Sequence, residues 1–180
     1  IQSIGVIGAG QMGNGIAHVC ALAGYDVLLH DASVAALEAA TGIIAGNLDR
    51  QVSRGKITQA QRDEAVGRIE IAPELASLGP TDLVIEAASE REPLKHKIFA
   101  DLGPYLADHT ILTSNTSSIS ITRLASGTDR PERFMGLHFM NPVPVMQLVE
   151  LIRGIATDRE TFEMLEGVVK RLGKISSSAE

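Results

Sequence analysis

The sequence is short of cysteine. Cys20 stands alone, so no disulfide can form within the chain. A single thiol fits a reducing compartment, and its place on an apolar helical stretch reads as a small core residue. No apolar run approaches the ~20 residues needed to span a bilayer, and no basic-then-apolar leader opens the chain. The expected compartment is the cytoplasm, without membrane contact. Positive charge is also scarce: 16 Lys and Arg face 22 Asp and Glu, a formal net charge of −6. That balance argues against a nucleic-acid surface or a polybasic membrane patch. An anionic ligand would need a local cluster of cations. His18, His30, His96 and His109 lack metal-ligand spacing, and no metal is expected. There is no internal repeat, low-complexity tract or linker.

What remains is 180 residues, 44% of them hydrophobic. A domain of that length buries roughly 70% of its unfolded surface and needs no staple. Ile4-Gly5-Val6-Ile7 reads as a buried strand. The stretch from Ile16 to Ala23 reads as a helix closed by Gly24, and Val27 to Leu29 as the next strand. Ser33 and Thr58 are placed to cap two further helices, the first running toward Arg54. Ile69–Ile71, Leu83–Ile85, Thr110–Thr113, Phe134–Phe139 and Met146–Ile152 read as strands. Pro93 opens a helix expected to reach Leu106, and Thr161–Leu172 reads as the last helix. Alternation of strand and helix predicts an α/β, doubly wound Rossmann domain: a mostly parallel sheet with helices on both faces.

Gly8-Ala9-Gly10-Gln11-Met12-Gly13 is G-x-G-x-x-G. It follows a predicted strand, opens a predicted helix, and is followed 18 residues after Gly13 by Asp31. That is the context of a dinucleotide fingerprint. Gly8 permits the tight turn, Gly10 lets backbone approach a pyrophosphate, and Gly13 lets helix and strand pack closely. The loop residues Gln11 and Met12 open the helix whose free N–H groups face phosphate. Asp31 is placed for the ribose hydroxyls and would repel a 2′-phosphate, which favours NAD over NADP.

Ser114-Asn115-Thr116-Ser117-Ser118 and His138 both fall at the carboxyl edge of the sheet, where open α/β folds bind ligands. Glu150 lies 12 residues past His138. If the chain doubles back about Pro144, Glu150 returns opposite the imidazole. A carboxylate there fixes the tautomer and stabilises the charged ring, as a general base requires. Blander readings exist for each candidate. His138 could be a core histidine, Ser117 a helix cap near Ser118, Glu90 and Lys95 a solvated helix start, and Arg50 and Arg54 a solvated basic face.

These blocks, with Leu83-Val84-Ile85-Glu86-Ala87-Ala88, Gly136-Leu137-His138-Phe139-Met140-Asn141-Pro142-Val143-Pro144-Val145-Met146 and Leu148-Val149-Glu150, resemble the 3-hydroxyacyl-CoA dehydrogenase family, most of all its bacterial 3-hydroxybutyryl-CoA members. The resemblance runs along the whole chain. It implies reversible oxidation of a (3S)-3-hydroxyacyl-CoA with NAD, and hence a role in fatty acid β-oxidation or butanoate metabolism. It makes His138 the catalytic base, Glu150 its orienting partner, and Ser117 a contact to both substrate and cofactor. Glu90, Lys95 and Asn141 match positions at the nicotinamide half of NAD, with Asn141 also facing substrate. Arg54, and with it Arg50, match the region that holds coenzyme A. The family's Phe-Phe-Asn-Pro stands here as Phe139-Met140-Asn141-Pro142. Family members continue into an all-helical domain that builds a homodimer. The start at Ile1 and the tail Ser176-Ser177-Ser178-Ala179-Glu180 read as trimmed ends, so residues 1–180 are expected to be the NAD-binding domain of a longer protein. Rival expectations are another Rossmann enzyme of the hydroxyisobutyrate dehydrogenase type, with a lysine base, and a non-catalytic NAD-binding module on the same fold.

Overall fold

Ile4, Val6, Leu83, Val84, Ile85, Ile111 and Leu112 are sequestered from water almost completely. Each such aliphatic side chain contributes about 1.5–3 kcal/mol of burial free energy. Runs of this kind form strands covered on both faces. In the computed structural model, which describes residues 1–179, they make the centre of an eight-stranded sheet. The strands are β1 (Ser3–Ile7), β2 (Asp26–His30), β3 (Ile69–Ile71), β4 (Leu83–Glu86), β5 (Ile111–Ser114), β6 (Phe134–Phe139), β7 (Leu148–Arg153) and β8 (Ile175–Ala179). Their order is β3-β2-β1-β4-β5-β6-β7-β8. The chain leaves β1 toward one edge and returns at β4 toward the other, so a crevice opens between the carboxyl ends of β1 and β4.

Six α-helices cover the sheet: α1 (Gln11–Leu22), α2 (Val34–Ser53), α3 (Gln59–Gly67), α4 (Glu92–Leu102), α5 (Ile121–Ser126) and α6 (Arg159–Arg171). One core gathers Ile16, Cys20, Leu37, Ile44 and Leu165; a second gathers Phe99, Leu102, Ile121 and Leu124. The caps follow the sequence. The Ser33 hydroxyl accepts from Ala36 N–H, and Thr58 with Gln61 forms a reciprocal capping box. Gly24, at φ +89°, ends the first helix as expected. Among the described residues no helix is long and apolar enough to cross a membrane.

Two expectations are corrected, the extent of the helix opened by Pro93 and the helix cap offered by Ser117. The helix opened by Pro93 stops at Leu102, because Gly103 and Pro104 turn the chain into a short 3₁₀ segment ahead of Leu106. The sheet is mostly parallel, as expected: among the described residues β6 and β7 pair antiparallel, since the Pro142–Pro144 turn reverses the chain without a crossover helix. Ile175–Ala179, not read as a strand from the sequence, forms β8, registered parallel to β7, and Glu180 lies outside the described residues. Ser117 caps no helix. The α5 cap is Ser120, whose hydroxyl accepts from Arg123 N–H.

Candidate active site

The glycine loop joins β1 to α1. Gly8 sits at φ +100°, and a Cβ there would meet the Ala87 carbonyl oxygen at 2.6 Å. A Cβ on Gly13 would lie 1.6 Å from the Gly8 carbonyl oxygen, so helix and loop touch backbone to backbone. Gly10 is different: a Cβ there would meet nothing within 4 Å. Its backbone faces open space, where a ligand can approach. No side chain caps this helix and no acidic residue occupies its first turn. The positive end of the helix is therefore left for an anion.

A cavity of about 630 Å³ opens over the loop, lined by Gly10, Gln11 and Met12 on one side and by Asp31 and Ala32 on another. Asp31 Oδ2 accepts from Ala9 N–H at 2.8 Å, and Oδ1 from Ser33 N–H at 2.8 Å. Its carboxylate is thereby fixed at the cavity rim. An uncapped helix start, a side-chain-free approach at Gly10 and a fixed acid together fit a dinucleotide with a free ribose 2′-hydroxyl.

A second cavity, of about 290 Å³, adjoins the first through shared Met12, Ala87 and Ala88; its far wall holds Ser117, His138 and Asn141. His138 and Glu150 are partners in the β6–β7 register, and the imidazole Nδ1 lies 2.8 Å from Glu150 Oε2. Nδ1 thus carries the proton donated to the carboxylate, leaving Nε2 for chemistry. Asn141 belongs to a turn held in two ways. Val143 packs against Gly15 of α1, and the Lys174 ammonium donates to the carbonyls of Val143 and Met146 at 2.7 and 2.6 Å.

Glu90 forms the opposite wall. Oε1 accepts from the Thr116 and Ser118 hydroxyls and from the N–H groups of Ser117 and Ser118. Burial pushes its carboxyl up, but the Thr116 hydroxyl, the Lys95 charge and the serine donors outweigh it and hold it below the ordinary range. Glu90 therefore ties the Ser114–Ser118 loop to the head of α4.

Lys95 is placed otherwise than expected. Its side chain is 1% exposed, and Nζ donates to both oxygens of the fully buried Glu86, at 2.7 and 2.9 Å, and to the Ala88 carbonyl at 3.2 Å. It lies beneath the cavity floor, because a lone ammonium surrounded by apolar side chains must find a carboxylate. Breaking such a pair by removing one partner costs about 3–5 kcal/mol. Arg50 and Arg54 lie exposed at the end of α2, away from the His138 cavity. Arg50 donates to Asn47, which with Asn141 lines a third cavity of about 540 Å³ between α1 and α2.

Sequence reasoning passed over Glu86, Asn115 and Lys174. Asn115 Oδ1 accepts from Phe139 N–H at 2.8 Å and joins the serine loop to the histidine strand. The signal for Glu86 was an acid closing an apolar strand, which demands a buried partner. Cys20 is inert: burial pushes its thiol up to about 12.

The profile of the family described as "3-hydroxyacyl-CoA dehydrogenase, NAD binding domain" matches residues 3–178. A 3-hydroxybutyryl-CoA dehydrogenase from Bradyrhizobium diazoefficiens is 58% identical over 97% of this chain and 59% of its own length. A probable 3-hydroxybutyryl-CoA dehydrogenase from Deinococcus radiodurans is 46% identical over 96% of this chain and 62% of its own. The crystal structure of an (S)-3-hydroxybutyryl-CoA dehydrogenase from Ralstonia eutropha superposes with a TM-score of 0.96 at 46% identity, covering 99% of this chain and 63% of that one. The chain thus spans about six tenths of the length of these relatives. With the profile matched along nearly its whole length and the fold shared, the chain belongs to the 3-hydroxyacyl-CoA dehydrogenase family as its NAD-binding domain.

Proposed function

We propose that this chain is the cofactor half of an oxidoreductase that interconverts a (3S)-3-hydroxyacyl-CoA, 3-hydroxybutyryl-CoA foremost, and the 3-oxoacyl-CoA. The observation that carries the reading is the His138–Glu150 pair, 2.8 Å apart, on a cavity that adjoins the glycine-loop crevice. Bound NAD supplies the hydride acceptor at its nicotinamide ring. His138 Nε2 takes the proton of the substrate hydroxyl as C3 gives up hydride. Glu150 stabilises the imidazolium that results and keeps the ring in the productive tautomer. The Ser117 hydroxyl orients the substrate oxygen, and Glu90 and Asn141 hold the nicotinamide side. Lys95 acts from below, through Glu90.

Arg50 and Arg54 hold the phosphates of coenzyme A at the mouth of the α1–α2 groove. The relatives' greater length supports a further domain, helical and dimer-forming, with the intact enzyme a cytoplasmic homodimer. A lysine-base dehydrogenase is disfavoured by Lys95, whose ammonium is buried and engaged by Glu86. A non-catalytic NAD-binding module has no use for a paired imidazole facing a cavity. The deciding experiment is turnover of acetoacetyl-CoA with NADH by the intact protein. NADH binding without turnover would return the module reading.

A further inference from the structure

Glu86 ends β4 fully buried, and the chemistry above gives it no part. Its place is specific. It is registered with Ile7 of β1 on one side and Ser114 of β5 on the other. It therefore sits where the strand order reverses and the crevice opens. Its carboxylate accepts from Lys95 Nζ at 2.7 and 2.9 Å, from Ala88 N–H at 2.7 Å and from Ser114 Oγ at 2.6 Å. All these groups donate to it, which is the setting of an ionised carboxylate. The Lys95 ammonium reaches on to Glu90 Oε2 at 3.5 Å, and Glu90 lines the cavity that His138 faces. Three charges thus run from the core to the cavity wall in the order minus, plus, minus.

Stability alone is a weak reason for this arrangement, because apolar residues of the same volume often serve as well as a buried ion pair. The three charges sum to −1. Hydride transfer beside His138 requires the nicotinamide ring to lie against this wall. That ring is formally positive in NAD⁺ and neutral in NADH. A fixed negative charge beside it stabilises the oxidised form selectively, and low dielectric preserves the effect. We propose that Glu86 determines specificity for the cofactor's redox state: it holds the wall at a net charge of −1 and so tilts binding toward NAD⁺. The inference rests on the reading of this cavity as the nicotinamide site.

The test is calorimetric Kd for NAD⁺ and for NADH, on the intact protein and three variants. Glu86→Gln brings the net charge to zero, Lys95→Gln brings it to −2, and the double variant restores −1. The ratio of Kd for NAD⁺ to Kd for NADH is expected to rise about fivefold in Glu86→Gln and to fall by about the same factor in Lys95→Gln. In the double variant it returns to within about twofold of the parent. Loss of packing would weaken both forms together and cannot produce that order. If Glu86→Gln does not fold, Lys95→Gln and the charge-balanced double variant carry the comparison. A ratio unchanged across the folded variants overturns the proposal and leaves the site reading intact. Failure of the parent to bind either form of the cofactor overturns the site reading, and the proposal with it.

Discussion

His138 and Glu150 face each other across the β6–β7 pair, Nδ1 to Oε2, at 2.8 Å. The imidazole is mostly buried and the carboxylate about one-third exposed, with side-chain exposures of 18% and 38%. The pair is therefore a mostly buried ring held by a partly solvated acid. His138→Gln is expected to lower kcat by about 10²–10⁴-fold, the usual worth of a positioned base. Kd for NADH should stay within about twofold, because the glycine loop and Asp31 lie outside the change. Stopped-flow turnover and calorimetry check the two halves. A variant with parental kcat would remove His138 from the mechanism.

Asp31 is expected to set cofactor choice. Both its oxygens are already held by backbone N–H groups, so the charge cannot swing away from a 2′-phosphate. A discrimination of at least about tenfold in kcat/KM for NADH over NADPH is expected, with Asp31→Ser narrowing it. Equal use of both cofactors by the parent would show that the ribose lies elsewhere.

Glu90 gives a pH signature. Its carboxyl is held below the ordinary range in the fold. Its contribution is then complete above the unfolded carboxyl's pKa of about 4.3 and drains away as pH falls below it. Melting temperature followed from pH 6 down to about pH 3 should fall more steeply for the parent than for Glu90→Gln. Parallel curves would mean that the Thr116 and Ser118 contacts carry no charge-dependent energy.

The elements legible in the sequence were those fixed locally. The glycine loop announces itself because strand, turn and helix follow within a few residues, and Gly8 and Gly13 each answer a contact that a Cβ would block. The histidine pair was legible because a proline-bounded turn halves the interval between His138 and Glu150. Glu86 and Lys95 were not. Their pairing depends on where α4 settles against the sheet, and nothing in a nine-residue spacing fixes that. Lys95, assigned to the cofactor by resemblance, is buried against Glu86 instead of facing the cavity. The β8 strand was missed for another reason. Its serines lack an apolar alternation, and it is held by ladder bonds to β7 rather than by a buried face.

Arg50 and Arg54 lie four residues apart on an exposed face at the end of α2. In a chain of net charge −6, a polyanion needs such a local cluster. Double alanine replacement should raise KM for acetoacetyl-CoA about tenfold while leaving KM for a pantetheine-truncated substrate within about twofold. The effect should shrink as salt is raised. Equal effects on both substrates would refute a phosphate contact.

Residues 1–180 by themselves should bind NADH yet turn over poorly. The dinucleotide elements are complete here: the glycine loop, the fixed Asp31 and the Glu90 wall all rest on β1, β2 and α4, inside two continuous cores. The acyl side is different. Val145, Met146 and Leu148 stand exposed on the turn and strand that follow Asn141, and Ile175, registered with Leu148, extends the apolar face. Such a face beside His138 is where a second domain would dock and exclude water. Without such a cover, water would reach His138 and a substrate would be held on one side only. Calorimetry on this chain should give a Kd for NADH within about threefold of the longer protein's, with kcat at least about 100-fold lower. Joining the helical portion of a relative to the chain should raise kcat and slow hydrogen exchange at the backbone amides of Val145, Met146, Leu148 and Ile175. Full activity from residues 1–180 would show that the acyl site needs no second domain, and the apolar face would then require another explanation.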